Sequence, residues 1–207
     1  MNEVLCQEWR DLLRVWRIAS GDACRAFDDL SRHYAEPGRF YHTLDHVEDV
    51  LATIETLTSF ATHPASVKLA GWLHDVIYDS RASDNEERSA NYAEKLCERL
   101  TIPEGHRVAA LILTTKTHDA GLDVDAQVLL DADLSILGAD EPTYRDYAEK
   151  IRREFDWVPE SQFRLGRRQV LERFLTRPRI FHFLTEREAP ARRNIAAEIA
   201  ELSRPAA

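Results

Sequence analysis

Two adjacent polar residues, His74 and Asp75, interrupt the apolar stretch VKLAGWLHDVIY at residues 67–78. The stretch has almost no polar face, so it predicts a helix buried in the core. A buried imidazole beside a buried carboxylate is unfavourable unless each is hydrogen-bonded, ion-paired or bound to a metal ion. A structural hydrogen bond, or a histidine facing a solvent cleft, explains most isolated pairs of this kind, and only further polar residues favour a chemical role.

Two such residues stand in other apolar segments. His46 precedes Val50 by four residues and so shares the apolar stripe of its helix, and Asp133 lies within LLDADLSILG. Two imidazoles and two carboxylates make a nitrogen and oxygen site that suits a divalent ion such as Mn²⁺, Fe²⁺, Co²⁺, Ni²⁺ or Zn²⁺, with Mg²⁺ a further candidate. We predict that His46, His74, Asp75 and Asp133 bind one ion and leave positions for water and a substrate oxygen.

The elements that must position these residues are all predicted to be helices. Apolar residues recur at helical spacing along the whole chain, with no strand-and-turn pattern and no internal repeat. We therefore predict an all-α fold of nine or ten helices in a single domain over residues 1–207. The predicted helices cover residues 5–16, 23–34, 46–57, 64–78, 85–100, 104–117, 124–137, 144–155, 161–175 and 189–202, with a break at Ser20-Gly21-Asp22.

Composition and charge narrow the function classes. The chain has 207 residues, 44% hydrophobic and 30% charged, and a net charge of −9 with histidine neutral. Such an acidic protein is a poor partner for nucleic acid polymers or anionic membranes, and no apolar run reaches the length of a membrane span. Its three cysteines lack metal-type spacing and are expected to be free thiols of a cytoplasmic protein. The sequence leaves open whether the chain forms a homodimer.

Six segments along the chain carry a resemblance to a known family: RFYHTLDHV, WLHDVIYD, DNEERSA, TTKTH, LDADLSILG and ARRNIAAEI. In this order they resemble the HD-domain superfamily, and within it the predicted metal-dependent phosphohydrolases, whose signature is His…His-Asp…Asp. The resemblance covers nearly the whole chain. It implies an HD-type helical bundle, a phosphohydrolase activity, and the metal ligands His46, His74, Asp75 and Asp133.

Asp131 competes with Asp133 for the last position of this signature. Two residues apart on a helix, their side chains point about 200° apart, so both are not expected to reach one ion. Asp133 matches the family pattern better. Asp131 is expected to cap a helix or to hold a histidine behind the ligands.

Three further residues are candidates for proton transfer or phosphate contact. Glu86 corresponds to the acid of the NExxSA pattern in the family, which implies a general base or a supporting role; an acid at a helix start also favours the helix dipole. His118 is expected to act in catalysis, together with Asp75 and Glu86. Lys116 is a candidate for substrate binding, although either cation could simply complement the dipole at a helix C-terminus.

Arg39 and His42 complete the predicted substrate-binding set. Arg39 precedes the segment that leads to His46 and could bind a phosphate with its forked guanidinium, or could be a surface turn residue. His42 lies four residues before His46. It is expected either in the cleft or at the end of the turn that leads into the helix.

The expected reaction is hydrolysis of a small phosphorylated metabolite, most plausibly a nucleotide, by a metal-activated water. Two other classes stay open. A dinuclear iron oxygenase of the same fold would need further histidine ligands between the His74-Asp75 pair and Asp133. The sequence has only His106 and His118 in that interval. A non-catalytic protein that senses a nucleotide would keep the fold and the metal. Hydrolysis of guanosine alarmones would need a basic pocket, which the acidic balance does not favour.

Overall fold

The prediction of an all-α fold is confirmed over residues 2–204, which the computed structural model describes, Asn2 by its backbone alone. These residues form ten α-helices and no strand. The domain was predicted to span 1–207; Met1 and residues 205–207 lie outside the described residues. The helices are α1 (Asn2–Leu13), α2 (Ser20–Tyr34), α3 (Leu44–Leu57), α4 (Pro64–Leu73), α5 (Asn85–Leu100), α6 (Gly105–Thr115), α7 (Val124–Asp133), α8 (Glu141–Glu154), α9 (Glu160–Thr176) and α10 (Thr185–Leu202).

Helix α4 lies at the centre of the fold, in contact with α3, α6 and α7. Pro64 occupies its first turn, where the missing backbone N–H costs nothing, as predicted. Trp72 is buried, and the rings of Trp9 and Phe27 meet it edge-on at centroid distances of 5.4 and 6.1 Å. A Cβ at Gly71 would lie 2.7 Å from Ile54 Cδ1, so the glycine allows α3 and α4 to approach closely. This approach brings the metal-ligand candidates of the two segments together.

The helix predicted to run through Tyr78 ends earlier, at Leu73, so that part of the prediction is wrong. His74 and Asp75 lie in a turn, in which the Val76 amide donates to the Leu73 carbonyl at 3.2 Å. The carbonyls of Asp75 and Val76 accept from a side chain outside the helix, the Arg39 guanidinium, at 2.7 and 2.9 Å. These contacts replace the helical hydrogen bonds that would otherwise continue α4.

Two other boundaries differ from the prediction for local reasons. The break expected at Ser20-Gly21-Asp22 is wrong, because these residues form the first turn of α2 and the chain turns at Arg17, whose φ is 59°. The helix expected over 124–137 ends as an α-helix at Asp133 and continues as a 3₁₀ helix, Leu134–Gly138. Two more short 3₁₀ helices, Arg14–Trp16 and Thr58–Phe60, follow α1 and α3.

The 3₁₀ helix after α7 packs closely against α10. A Cβ at Gly138 would lie 2.6 Å from Arg187 Cβ and 2.9 Å from the Arg187 carbonyl oxygen. The amide of Asn194, also on α10, donates to the carbonyls of Leu137 and Ala139 at 2.9 Å each. Any side chain at Gly138 must therefore displace α10 from the 3₁₀ helix that follows Asp133.

We predict opposite effects of alanine at two glycines. Gly138→Ala should lower the free energy of unfolding by about 1–3 kcal/mol, the usual cost of overpacking. Gly166→Ala, inside α9 with no atom within 4 Å of an added Cβ, should raise it by about 0.5–1 kcal/mol. Urea denaturation of both variants measures the difference, and equal effects would contradict the packing described at Gly138.

Candidate metal centre

His46 lies in the first turn of α3 and is 3% exposed. Thr43 starts this helix, because its Oγ1 accepts from the Asp45 amide at 3.3 Å. Val47, Val50 and Ile54 are buried on the same helix, as the apolar stripe predicted. The N-cap and the buried stripe together fix the helix rotation that turns His46 inward.

The turn after α4 presents His74 directly to His46. His74 Nδ1 lies 3.0 Å from the Gly71 carbonyl oxygen, an acceptor, so Nδ1 carries the hydrogen. In the neutral ring the lone pair is then on Nε2, which lies 3.2 Å from His46 Nε2. Two ring nitrogens that face each other at this distance need a proton or a cation between them.

Carboxylates from two elements border this pair of imidazoles. Asp75 Oδ2 lies 3.0 Å from His74 Nε2 and 3.5 Å from His46 Nε2, and Asp133 Oδ1 lies 3.5 and 3.4 Å from the same atoms. Donors that share one ion with bonds of about 2.1 Å are about 3.0 Å apart when adjacent. His46, His74 and Asp75, whose donor atoms all lie within 4.8 Å of one another, could bind a metal ion. Asp133 approaches both imidazoles closely enough to join them.

The electrostatics of the four groups are those of ion pairs. Burial lowers the pKa of His46 and of His74, but the carboxylates of Asp75 and Asp133 raise both to net values above the usual range. Burial raises the pKa of each carboxyl, but the neighbouring histidines lower both to values well below the usual range. A cation would therefore take the place of protons at the imidazoles, and metal binding should release protons.

Asp131 points away from this cluster, as the helical geometry predicted. Its Oδ1 accepts from the His182 amide at 2.8 Å, and its Oδ2 accepts from the amides of Phe183 and Leu184 at 2.6 and 3.0 Å. The side chain is fully buried. Asp131 therefore fixes the backbone of residues 182–184, which leads into α10, and contacts the amide of His182 and not its ring.

Glu86 and His118 line the same cleft as the donors. His118 Nε2 lies 3.4 Å from Asp133 Oδ2, and its ring meets Phe174 edge-on at 5.5 Å. The backbone of His118 is left-handed, with φ 50°, and the Arg177 guanidinium holds its carbonyl at 2.7 Å. Glu86 occupies the first turn of α5. The structure thus brings both predicted proton-transfer residues to the cleft.

His42 also lines the cleft, and a buried glutamate holds it there. Glu154 Oε2 lies 2.6 Å from His42 Nδ1 and accepts from the Tyr78 hydroxyl at 2.9 Å. Its Oε1 accepts from the amides of Phe40, Tyr41 and His42 at 2.7, 2.7 and 3.0 Å. Burial raises the pKa of Glu154, but these hydrogen bonds lower it to about 2. Glu154 therefore fixes the segment that leads into α3.

The prediction for Arg39 needs correction. Its side chain is 2% exposed and does not line the cleft with the donors. The guanidinium donates to the carbonyls of His42, Asp75 and Val76, and it lies over the rings of Tyr34 and Tyr78. A guanidinium engaged in this way has no free fork for a phosphate, so Arg39 supports the turn that carries the donors.

The prediction for Lys116 also needs correction. Its Nζ donates to the Ser83 carbonyl at 2.9 Å and forms an ion pair with Glu87, and it is absent from the lining of the cleft. These contacts connect the end of α6 to the loop before α5. Lys116 thus restrains the loop that leads to Glu86 and does not line the cleft.

Two polar groups at the cleft or behind it, Glu154 and Arg167, are not among the residues predicted from the sequence. Tyr147, Ile151 and Glu154 share one face of α8 at helical spacing, so an acid on an otherwise apolar stripe was the available signal for Glu154. Arg167 lines the cleft, with its Nε 2.8 Å from Glu198 Oε1 and its guanidinium over the Tyr147 ring. No comparable pattern marks Arg167.

The cleft has a volume of about 620 Å³. His74, Asp75 and Asp133 form part of its wall, and most of the remaining lining is apolar. Comparison with known protein families, curated proteins and solved structures finds no match to the chain. Among the helices of residues 2–204, none combines the length and apolar character needed to cross a membrane.

We predict that Asp75→Ala removes the bound ion and leaves the fold. Its affinity for Mn²⁺ or Zn²⁺ should fall by more than about 100-fold, beyond the roughly 10–100-fold typical of losing a residue behind a ligand. Metal content after dialysis and the helical circular dichroism signal measure the two effects. Asp45→Ala, at an exposed carboxylate one residue before His46, is the control and should keep the metal. Equal metal content in both variants would contradict the site.

We predict a pH-dependent loss of stability in Glu154→Gln. The amide cannot accept all the hydrogen bonds of the carboxylate, so the free energy of unfolding should fall by at least about 1–3 kcal/mol at neutral pH. Because the folded pKa is depressed to about 2, this stabilisation is present above about pH 4.5 and is lost as the pH falls toward 2. The wild type and the variant should therefore converge over this interval in urea denaturation. Glu149→Gln, exposed on the same helix, should match the wild type throughout.

Proposed function

We propose that the chain is a metal-dependent phosphohydrolase of the HD-domain type, which acts on a small phosphorylated metabolite. The observation that carries the proposal is the pair of imidazoles with Nε2 atoms 3.2 Å apart, bordered by Asp75 and Asp133; His74 and the two carboxylates line a cleft, and His46 is buried behind them. Such a set of nitrogen and oxygen donors suits Mn²⁺ and the neighbouring divalent ions. The resemblance of the six sequence segments points to the same class.

His46, His74, Asp75 and Asp133 would hold a divalent ion, and such an ion would supply Lewis acidity for the activation of water and of a phosphoryl oxygen. The side chains around it divide the remaining tasks. We assign acceptance of a proton to Glu86 and donation of a proton to the leaving oxygen to His118, because both side chains line the cleft. We assign substrate contact to His42, which lines the cleft and whose Nδ1 is held by Glu154.

We propose one ion and not two. The side chain of His106 is 98% exposed and contacts Glu94, so it does not face the cleft. His118 alone would have to supply the additional histidine ligation of a second iron. The dinuclear oxygenase alternative therefore lacks one of the two histidines on which it depended.

The small size of the proposed substrate follows from the positions of the cations. Neither Arg39 nor Lys116 lines the cleft, and Arg167, which does, is paired with Glu198. Binding of a long polyanion draws on many free arginine and lysine contacts, which this cleft does not offer.

We further propose a cytoplasmic location, because Cys6, Cys24 and Cys97 are free thiols.

The scarcity of cations also favours a second candidate, a protein that binds a phosphorylated metabolite without hydrolysing it. Phosphoryl transfer usually relies on arginine, lysine or metal contacts to stabilise charge that develops on the phosphoryl oxygens. Here that task would fall to the ion and to His118. Turnover by the metal-loaded protein separates the two candidates.

We predict that protein purified without chelators releases phosphate from small phosphoesters, that EDTA abolishes the activity, and that Mn²⁺ restores it. His118→Ala should lower kcat by about 10²–10⁴-fold, the usual contribution of a positioned acid or base, with unchanged metal content. His106→Ala, at the exposed histidine, should behave as the wild type. Tight nucleotide binding without phosphate release would instead favour the sensor.

A further inference from the structure

The cleft is much larger than a phosphoryl group requires. Its volume of about 620 Å³ is in the range of pockets that enclose a whole organic ligand. Away from the metal donors it is lined by aliphatic and aromatic side chains, among them Ile136, Leu137, Ile151, Phe155, Phe163 and Phe174. These side chains favour an apolar body attached to the group that contacts the ion.

The charge around the cleft limits the charge of the ligand. Two neutral imidazoles, two carboxylates and one divalent ion sum to zero. The Arg167 guanidinium donates to the two carboxylate oxygens of Glu198 at 2.8 and 3.2 Å, so the charge of Glu198 neutralises that of Arg167. Glu86 adds a negative charge. Among the described residues that line the cleft, no lysine and no other arginine offsets a polyphosphate, so a single phosphoryl group fits best.

Gly166 in α9 leaves a part of this apolar cleft open. Glycine is unfavourable inside a helix, and the close contacts that explain Gly71 and Gly138 are absent here, because an added Cβ would meet no atom within 4 Å. Gly166 lines the cleft together with Val170, one helical turn later, whose side chain is apolar and 44% exposed. Neither packing nor backbone conformation requires a glycine at this exposed position, and a side chain here would take up space in the cleft.

We infer that the substrate is a phosphoester with one phosphoryl group and a large apolar organic group, and that the organic group lies against α9 at Gly166. The inference rests on the proposed function and specifies its substrate class. It assigns Gly166 a role in specificity, and it disfavours nucleoside triphosphates and small sugar phosphates.

The test measures binding, which does not depend on turnover. Dissociation constants of 1-naphthylmethylphosphonate and methylphosphonate are measured by calorimetry on the Mn²⁺-loaded wild type, Gly166→Trp and Leu165→Trp. Leu165 is 50% exposed on the same helix and does not line the cleft, so its variant carries the same indole on another face. Burial of the naphthyl group should tighten binding by at least about 30-fold relative to methylphosphonate in the wild type.

Gly166→Trp should reduce this ratio to about threefold or less, with unchanged metal content, because the indole fills the space of the organic group. Leu165→Trp should keep the wild-type ratio. A wild-type ratio near one, an unchanged ratio in Gly166→Trp, or no binding of either phosphonate would overturn the inference. Failure of the proposed function looks different: the naphthyl preference would persist while 1-naphthyl phosphate released no phosphate.

Discussion

The buried guanidinium of Arg39 connects the two segments that carry most of the metal donors. It donates to the His42 carbonyl at 3.1 Å before α3, and to the Asp75 and Val76 carbonyls at 2.7 and 2.9 Å after α4. The last carbonyls of a helix lack partners within the helix, and in the core they would be costly to leave unpaired. Arg39 satisfies carbonyls just beyond the end of α4, so the chain can leave the helix inside the protein. The position of His46 relative to His74 thus depends on a residue that touches neither.

Buried carboxylates form hydrogen bonds with backbone amides next to helices, just as Arg39 does with backbone carbonyls. Glu154 accepts from three successive amides before α3, and Asp131 accepts from three successive amides before α10. Asp125, whose pKa is lowered to about 2 chiefly by Arg107 against the opposing effect of burial, accepts from the amides of Thr62 and His63 before α4. Each fixes the segment that leads into a helix: α3 for Glu154, α10 for Asp131 and α4 for Asp125. The donors are therefore positioned through the backbone, which leaves their side chains free to bind.

Sequence reasoning succeeded where a residue's own surroundings along the chain carried the signal. Apolar periodicity predicted the helices, and polar residues inside apolar runs predicted His46, His74 and Asp133, because burial makes such residues conspicuous. It failed where the partner lies far away in the chain. Arg39 contacts Val76, and Glu154 contacts Phe40 across 114 residues. The residue types were visible, but an arginine near a turn fits a phosphate and a set of carbonyls equally well, and only the fold selects between them.

The error about the end of α4 has the same origin. Propensity and apolar pattern favour a helix through Tyr78. The chain leaves the helix only after His74, which keeps helical dihedrals (φ −61°, ψ −35°), and Asp75 Oδ2 lies 3.0 Å from His74 Nε2 at this point. The local sequence favours a longer helix, whereas the tertiary contacts end it. Arg39 binds the Val76 carbonyl, and the Ile77 amide donates to the Ser89 hydroxyl at 3.1 Å. A conflict of this kind is expected where a chain gives up regular structure to place chemical groups.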